Sequence, residues 1–105
     1  MLHIDESFLN QTVRVPAGQV IELRLQENPT TGFQWSLAAN GRPSCTVISD
    51  RFEPHKGPPG AGGEHMWQIK AVHTGICRFK LLYRRPFDPG APPAGTFAVE
   101  LQVIE

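Results

Sequence analysis

The sequence predicts an all-β fold in which about seven short strands form two packed sheets. Apolar and polar residues alternate with a period of two along most of the chain, which is the pattern of half-buried strands. Ten glycines and ten prolines suit short strands joined by shaped loops, and they are too many for a helical bundle. No segment holds a convincing helical period. We therefore expect an immunoglobulin-like, antiparallel two-sheet sandwich.

The strands and their inward faces follow from the apolar alternation. In the strand at 20–25, Ile21, Leu23 and Leu25 lie on one face, while Glu22 and Arg24 lie on the other. The predicted strands comprise residues 12–15, 20–25, 33–37, 45–52, 67–71, 76–83 and 96–104. The inward row of the last strand consists of Phe97, Val99, Leu101 and Val103.

Trp35 is expected to be a core residue. Phe33, Trp35 and Leu37 share one face of the third predicted strand. Trp35 lies near the middle of that strand, where a large aromatic side chain packs across the two sheets of a sandwich. The sequence therefore predicts that Trp35 is buried.

Length and charge restrict the possible functions. The 105 residues predict a single domain spanning 1–105, in which the Pro/Gly-rich stretches 53–63 and 86–95 are internal loops. Lysine plus arginine equals aspartate plus glutamate, ten each. A formal charge of zero argues against a nucleic-acid partner, which requires a basic surface, and against recruitment to an anionic membrane. No apolar run reaches the length of a membrane span.

The amino-terminal segment leaves the localisation open. Residues 1–6 lack a basic region followed by an apolar stretch, so we expect no signal peptide in the sequence. As the chain stands it would be cytoplasmic, whereas removal of a leader would make it periplasmic or secreted.

The two cysteines allow two interpretations. Cys77 shares a strand face with Phe79, Leu81 and Tyr83, so we expect its side chain to point inward. A disulfide with Cys45 would close a loop of about thirty residues and stabilise the fold by roughly 3–4 kcal/mol. Because no cysteine framework is evident, the sequence favours two separate buried thiols.

Residues 28–35 read Asn-Pro-Thr-Thr-Gly-Phe-Gln-Trp and predict a rigid turn that contacts a partner. Pro29 fixes its own φ and favours an extended Asn28, whose side chain can bond to the backbone two residues on. Gly32 permits a positive φ. The result is a preorganised tip that carries the hydroxyl groups of Thr30 and Thr31.

Two further loops share this unusual composition. In the segment 57–63, Pro58 and Pro59 stiffen the first half, and Gly60-Ala61-Gly62-Gly63 leaves the backbone open to strand-like bonding by a partner. A flexible hairpin connection is the alternative. In the third loop, Arg85-Pro86-Phe87 places a cation beside a flat apolar ring, a common interface anchor. Alternatively, a solvated Arg85 lies beside a phenylalanine that covers the core.

Together the three loops resemble those of the chagasin family, inhibitors of papain-like cysteine proteases. The family pattern is Asn-Pro-Thr-Thr-Gly-aromatic-x-Trp, then Gly-x-Gly-Gly, then Arg-Pro-Trp/Phe, and all three occur here in that order. The resemblance covers nearly the whole chain and implies an immunoglobulin-like sandwich with the loops at one end. It implies that the protease-binding residues are Asn28, Pro29, Thr30, Thr31, Gly32, Phe33, Gly60, Ala61, Gly62, Gly63, Arg85, Pro86 and Phe87. Phe87 stands where many members have tryptophan, which has a larger stacking face.

The resemblance also implies how the chain acts. It would be a reversible, competitive, non-covalent inhibitor of papain and cathepsin L-type enzymes, monomeric and without a cofactor. Thr30 and Thr31 would enter the cleft near the catalytic cysteine and histidine. The loop at 60–63 would follow one wall, and Arg85 with Phe87 would grip the other.

Two other classes of function are the alternatives to this one. An enzyme or metal protein could use His73 with Cys77, or Glu64 with His65, but the four histidines show no ligand spacing and Cys77 is predicted to be buried. An immunoglobulin-like binding or adhesion module with a non-protease partner is compatible with the fold. Such a module has no reason to carry all three loops.

Overall fold

Eight strands and two single-turn 3-10 helices make up the ordered elements of the computed structural model, which describes residues 1–57, 60–88 and 90–105. The strands are β1 (Leu2–Ile4), β2 (Thr12–Pro16), β3 (Val20–Glu27), β4 (Gln34–Asn40), β5 (Cys45–Pro54), β6 (Gly63–Ala71), β7 (Gly75–Arg84) and β8 (Gly95–Ile104). The 3-10 helices are η1 (Glu6–Phe8) and η2 (Pro29–Thr31). All seven predicted strands are present, and the short β1 is additional.

The strands form two four-stranded sheets, in the orders β1-β3-β6-β5 and β2-β8-β7-β4. The immunoglobulin-like sandwich is thus confirmed. Four of its pairings, β3–β6, β5–β6, β4–β7 and β7–β8, are antiparallel. One edge strand of each sheet differs from the antiparallel expectation, because β1 pairs with β3 and β2 pairs with β8 in parallel. The chain passes from one sheet to the other through η1, which lies between these two strands.

The core lies between the sheets and consists of the inward rows that the alternation predicts. Ile21, Leu23 and Leu25 of β3 are buried, as is the Phe97-to-Val103 row of β8. Trp67 on β6 is the largest of the fully buried side chains. Burial of these apolar rows is the main stabilising contribution of a sandwich of this kind.

The expectation that Trp35 is a buried core residue is wrong, because its side chain only packs against the edge of the core. Trp35 is only half-buried, whereas Trp67 is 1 % exposed and fills the interior. The reason is positional: β4 lies at the edge of its sheet, and Trp35 is the second residue of that strand. There the indole N–H leaves the core and donates to the carbonyl oxygen of Gln26 over 2.8 Å.

The preference for two separate thiols is also wrong, because Cys45 and Cys77 form a disulfide. Cys45 begins β5 in one sheet, and Cys77 lies near the start of β7 in the other, so the bond joins the sheets across the core. Both cysteines are buried, which confirms the inward orientation predicted for Cys77. Pairing across two sheets depends on how the sheets pack, which no local pattern reports.

The strand directions gather three connections at one end of the sandwich. Strands β3, β5 and β7 end there, and β4, β6 and β8 begin there. The connections are loop 1 (residues 28–33), loop 2 (residues 55–62) and loop 3 (residues 85–94). The disulfide lies at the opposite end. Within the described residues the helices are single turns, and none has the length and hydropathy of a membrane span.

Candidate functional site

Loop 1 adopts the turn that its sequence predicts. Asn28 is extended, and its Oδ1 accepts a hydrogen bond from the backbone N–H of Thr30 over 3.2 Å, capping η2. Pro29 is the first residue of that turn, where its missing N–H costs nothing. Gly32 closes the turn with φ 84°, a conformation that side chains rarely adopt. The tip is therefore held by its own local bonds.

The two threonine hydroxyls use their protons inside loop 1. Thr30 Oγ1 donates to Asn28 Oδ1 over 2.6 Å, and Thr31 Oγ1 donates to the Asn28 carbonyl oxygen over 2.7 Å. Thr31 Oγ1 also accepts from the N–H of Phe33 over 3.3 Å. Both side chains are exposed. Towards a partner, these hydroxyls are consequently hydrogen-bond acceptors.

Loop 2 is bonded to loop 1 and closed at its own base. The side-chain amide of Asn28 donates to the carbonyl oxygen of Gly60 over 3.1 Å, and the N–H of His55 donates to the carbonyl oxygen of Gly62 over 2.9 Å. Gly62 has φ 77°, and a Cβ there would lie 3.2 Å from the Glu27 carbonyl oxygen. A side chain at position 62 would therefore be strained by the positive φ and crowded by the end of β3.

The predicted residues of the second loop differ in exposure. Gly60 and Ala61 are exposed and Gly62 is half-buried, whereas Gly63 is buried as the first residue of β6. The stiffening assigned to Pro58 and Pro59 concerns residues that lie outside the described part of the chain.

Loop 3 packs on loop 1. The Arg85 guanidinium lies 4.6 Å from the centre of the Phe33 ring, a cation–π contact. Phe87 is 75 % exposed, and its ring lies so close to Gly32 that a Cβ there would be 3.2 Å from Phe87 Cε1. Phe87 therefore does not cover the core, and its ring forms a continuous exposed surface with the turn of loop 1. Pro86 is exposed beside it.

Tyr83 supports loop 1 and the start of β4, a role that the sequence analysis missed. Its ring centre lies 5.4 Å from that of Phe33 and 4.8 Å from that of Trp35. The signal was present: the inward row of β7 runs through Cys77, Phe79 and Leu81 to a tyrosine at the loop end. An aromatic side chain with a polar tip at that position commonly bonds to a loop.

A buried carboxylate beneath loop 1 was also missed. Glu27 is 5 % exposed and continues the inward row of Ile21, Leu23 and Leu25. His65, on the neighbouring strand β6, contacts it. A charged residue at an inward position is the signal that could have identified this pair.

Among the described residues, neither candidate pair for an enzyme or a metal site, His73 with Cys77 or Glu64 with His65, has a geometry that supports that role. Cys77 is in a disulfide, so it cannot act as a thiolate with His73. Glu64 forms an ion pair with Arg24 over 3.3 Å, whereas His65 turns to Glu27 and Asp50. Residues 1–57, 60–88 and 90–105 contain no group of three or more side chains able to hold a metal ion.

Three loops lie at one end of an immunoglobulin-like sandwich and contact one another through a hydrogen bond and a cation–π contact. This arrangement is that of a binding protein with a preformed loop surface. The sequence model of the chagasin family of peptidase inhibitors, family I42, matches residues 14–101. The chain belongs to this family: it is a cysteine protease inhibitor and not an enzyme.

Relatives in two protozoa support this assignment over most of the chain. Amoebiasin-1 of Entamoeba histolytica is 33% identical over 104 residues, which cover 97% of this chain and 99% of the relative. Chagasin of Trypanosoma cruzi is 30% identical over 96 residues, which cover 87% of each chain. A crystal structure of a cysteine protease inhibitor from Entamoeba histolytica has the same fold, with a TM-score of 0.88 at 21% identity, over 98% of this chain and 95% of that one.

Proposed function

We propose that residues 1–105 form one inhibitor domain that blocks papain-like cysteine proteases by filling the active-site cleft with loops 1, 2 and 3. The inhibition is competitive, reversible and non-covalent. The observation that carries this proposal is the bonding among the loops: Asn28 joins loop 1 to loop 2, and Arg85 stacks on Phe33 to join loop 3 to loop 1. One continuous surface results, of the kind that suits a cleft.

Loop 1 is the part that enters the cleft, with Thr30 and Thr31 nearest the catalytic cysteine and histidine. A papain-like enzyme attacks a carbonyl held beside its thiolate and an oxyanion hole. Residues 29–31 are curled into a 3-10 turn, and Gly32 is left-handed, so this segment presents no extended peptide bond for attack. The inhibitor consequently leaves the enzyme uncleaved.

Loops 2 and 3 contact the two opposite walls of the protease active-site cleft. Gly60 and Ala61 have little or no side chain and are exposed, so a strand of the enzyme can approach their backbone closely. On the other side Arg85 supplies a cation, and the exposed Phe87 ring supplies a face for stacking on an aromatic side chain. Pro86 restrains the chain between these two anchors.

Rigidity is the energetic advantage of this arrangement. Protease–inhibitor pairs commonly bury about 800 Å² on each partner, and affinity at that size depends on how much freedom is lost on binding. Here the loop 1 turn is closed by the Asn28 and Thr31 side chains before any partner arrives. Little further ordering is required, which favours a tight complex.

The test is a titration of papain and of a cathepsin L-type protease, followed with a small fluorogenic substrate. The expected result is nanomolar or stoichiometric inhibition, full recovery of activity after dilution, and an inhibitor of unchanged mass. A folded sample that inhibits none of several such proteases would overturn the proposal and favour a binding module with a non-protease partner. Cleavage of the inhibitor within loop 1 would contradict the non-substrate conformation assigned to it.

A further inference from the structure

The inward row of β3 ends in a carboxylate where its pattern would place an apolar side chain. Ile21, Leu23 and Leu25 face the core, and Glu27 is the next inward residue, with only 3 % of its side chain exposed. A carboxylate in such a place must be paired or hydrogen-bonded, because burial of an unpaired charge is strongly unfavourable. Its partners therefore indicate what it does.

Glu27 is bonded on two sides. Its Oε2 accepts a hydrogen bond from the backbone N–H of Trp35 over 2.7 Å. On the other side, the Nδ1 atom of His65 lies 3.1 Å from both carboxylate oxygens. The second ring nitrogen of His65 contacts the carboxylate of Asp50 on β5. The His65 ring is itself held against Trp67, with a centre-to-centre distance of 4.2 Å and an interplanar angle of 8°.

These bonds close the base of loop 1. Glu27 is the last residue before the loop, and Trp35 is the second residue after it. A further bond runs from the Trp35 indole N–H to the Gln26 carbonyl oxygen over 2.8 Å. Both ends of the loop are thereby fixed to each other, and His65 anchors them to the rigid β6 strand at the centre of its sheet.

We infer that Glu27 and His65 are positioning residues of the inhibitory surface, which set where loop 1 leaves and re-enters the sandwich. The inference rests on the proposed function, since it assigns these residues a part in inhibition. Neither residue is part of the exposed loop surface: Glu27 is buried, and His65 is 15 % exposed. They act through Trp35 and the loop that precedes it. Buried pairing between titratable side chains is weak evidence for a stabilising role, because apolar side chains of similar volume often stabilise a fold equally well. The specific contribution of the carboxylate is thus the position of Trp35.

Substitution of Glu27 distinguishes two roles for this side chain, positioning Trp35 and filling space in the core. Glu27→Leu extends the apolar row and removes the acceptor of the Trp35 N–H, whereas Glu27→Gln keeps an acceptor and removes the charge. We expect Glu27→Leu to raise the inhibition constant towards papain about tenfold or more, the effect of losing a hydrogen bond to a charged group. We also expect faster amide hydrogen exchange at Trp35 in the free protein. For Glu27→Gln, we expect a smaller rise in the inhibition constant and a smaller increase in the Trp35 exchange rate than for Glu27→Leu.

The matched control is Glu22→Leu. Glu22 lies on the same strand and, like Glu27, is buried, with 7 % exposed. Its side chain is on the other face of the sheet, away from the core, where it pairs with Arg24 and lies 3.7 Å from His3. Its replacement should leave the inhibition constant and the Trp35 exchange rate unchanged. Equal inhibition by the Glu27→Leu and Glu22→Leu proteins, with unchanged Trp35 exchange, would overturn the inference and reduce Glu27 to a core residue.

A second variant decides the matter if Glu27→Leu does not fold. The Asp50 side chain is 56 % exposed, so Asp50→Asn leaves the core intact while weakening the hold on His65. We expect a smaller rise in the inhibition constant and faster Trp35 exchange, and parental values for both would count against the inference. If the parent itself inhibits no protease, the proposed function fails, whereas the exchange measurement still tests whether Glu27 and His65 hold loop 1.

Discussion

The phenol oxygen of Tyr83 accepts a hydrogen bond from the backbone N–H of Asn28 over 3.1 Å, which joins the end of β7 to the first residue of loop 1. The same ring packs against Phe33, the last residue of loop 1, and against Trp35, the second residue of β4. Because loop 3 begins two residues after Tyr83, one side chain sets the relative position of two loops. Their separation is thus a property of the sandwich and does not depend on a partner.

Tyr83→Phe should weaken inhibition while leaving the aromatic packing in place. The variant removes only the acceptor of the Asn28 N–H, and a neutral hydrogen bond contributes roughly 1 kcal/mol, or about a fivefold change in the inhibition constant. Measurement of that constant alongside the melting temperature checks the prediction. An inhibition constant equal to that of the parent would show that this bond does not set the loop position.

Thr31→Ala and Phe87→Ala should each raise the inhibition constant with little change in melting temperature, because both side chains are exposed. Ile76→Ala is the control, since Ile76 is an exposed apolar residue on β7 at the end away from the loops, 46 % accessible. Its inhibition constant should match the parent's. If both loop variants also inhibit as the parent does, the assignment of loops 1 and 3 to the protease contact is wrong.

The two tryptophans should differ in their effect on stability. Trp67→Ala should lower the free energy of unfolding by roughly 3–5 kcal/mol, as large-to-small core substitutions do. Trp35→Ala should cost less, because Trp35 is half-buried at a sheet edge, but it should weaken inhibition by freeing the base of loop 1. Chemical denaturation of both variants provides the comparison, and equal losses of stability would refute the assigned difference in burial.

Loss of the disulfide should affect stability and spare inhibition. The bond spans a sequence separation of 32 residues, and removal of a cross-link of that size costs roughly 3–4 kcal/mol. The Cys45→Ala/Cys77→Ala protein should therefore unfold at lower denaturant concentration. Its inhibition constant should equal the parent's, since the disulfide lies at the end opposite the loops. Free thiols in the purified parent, counted after denaturation, would contradict the pairing.

Association with the protease should depend only weakly on salt. Ten basic and ten acidic residues give a formal charge of zero, so the chain generates little long-range attraction or repulsion. Stopped-flow association rates at low and physiological ionic strength test this expectation. A steep fall in the rate with added salt would mean that the local charge of Arg84 and Arg85 steers the encounter despite the neutral total.

Local conformation was readable from the sequence. Apolar alternation predicted seven of the eight strands, because a strand exposes alternate side chains to opposite faces wherever it lies. Asn28, Pro29 and Gly32 predicted the loop 1 turn, since each restricts its own or a neighbouring backbone angle. The three segments singled out by their composition likewise lie between strands, as their glycine and proline content predicted.

Contacts between distant residues were decided only by the tertiary structure. The Cys45–Cys77 bond, the partial exposure of Trp35 and the parallel pairing of β1 and β2 all depend on sheet order and strand register. Glu27 is a clear case: its sequence neighbours predict an apolar side chain, and its carboxylate is explained only by Trp35 and His65. Periodicity determines which way a side chain points, whereas the packing of the two sheets determines what it meets there.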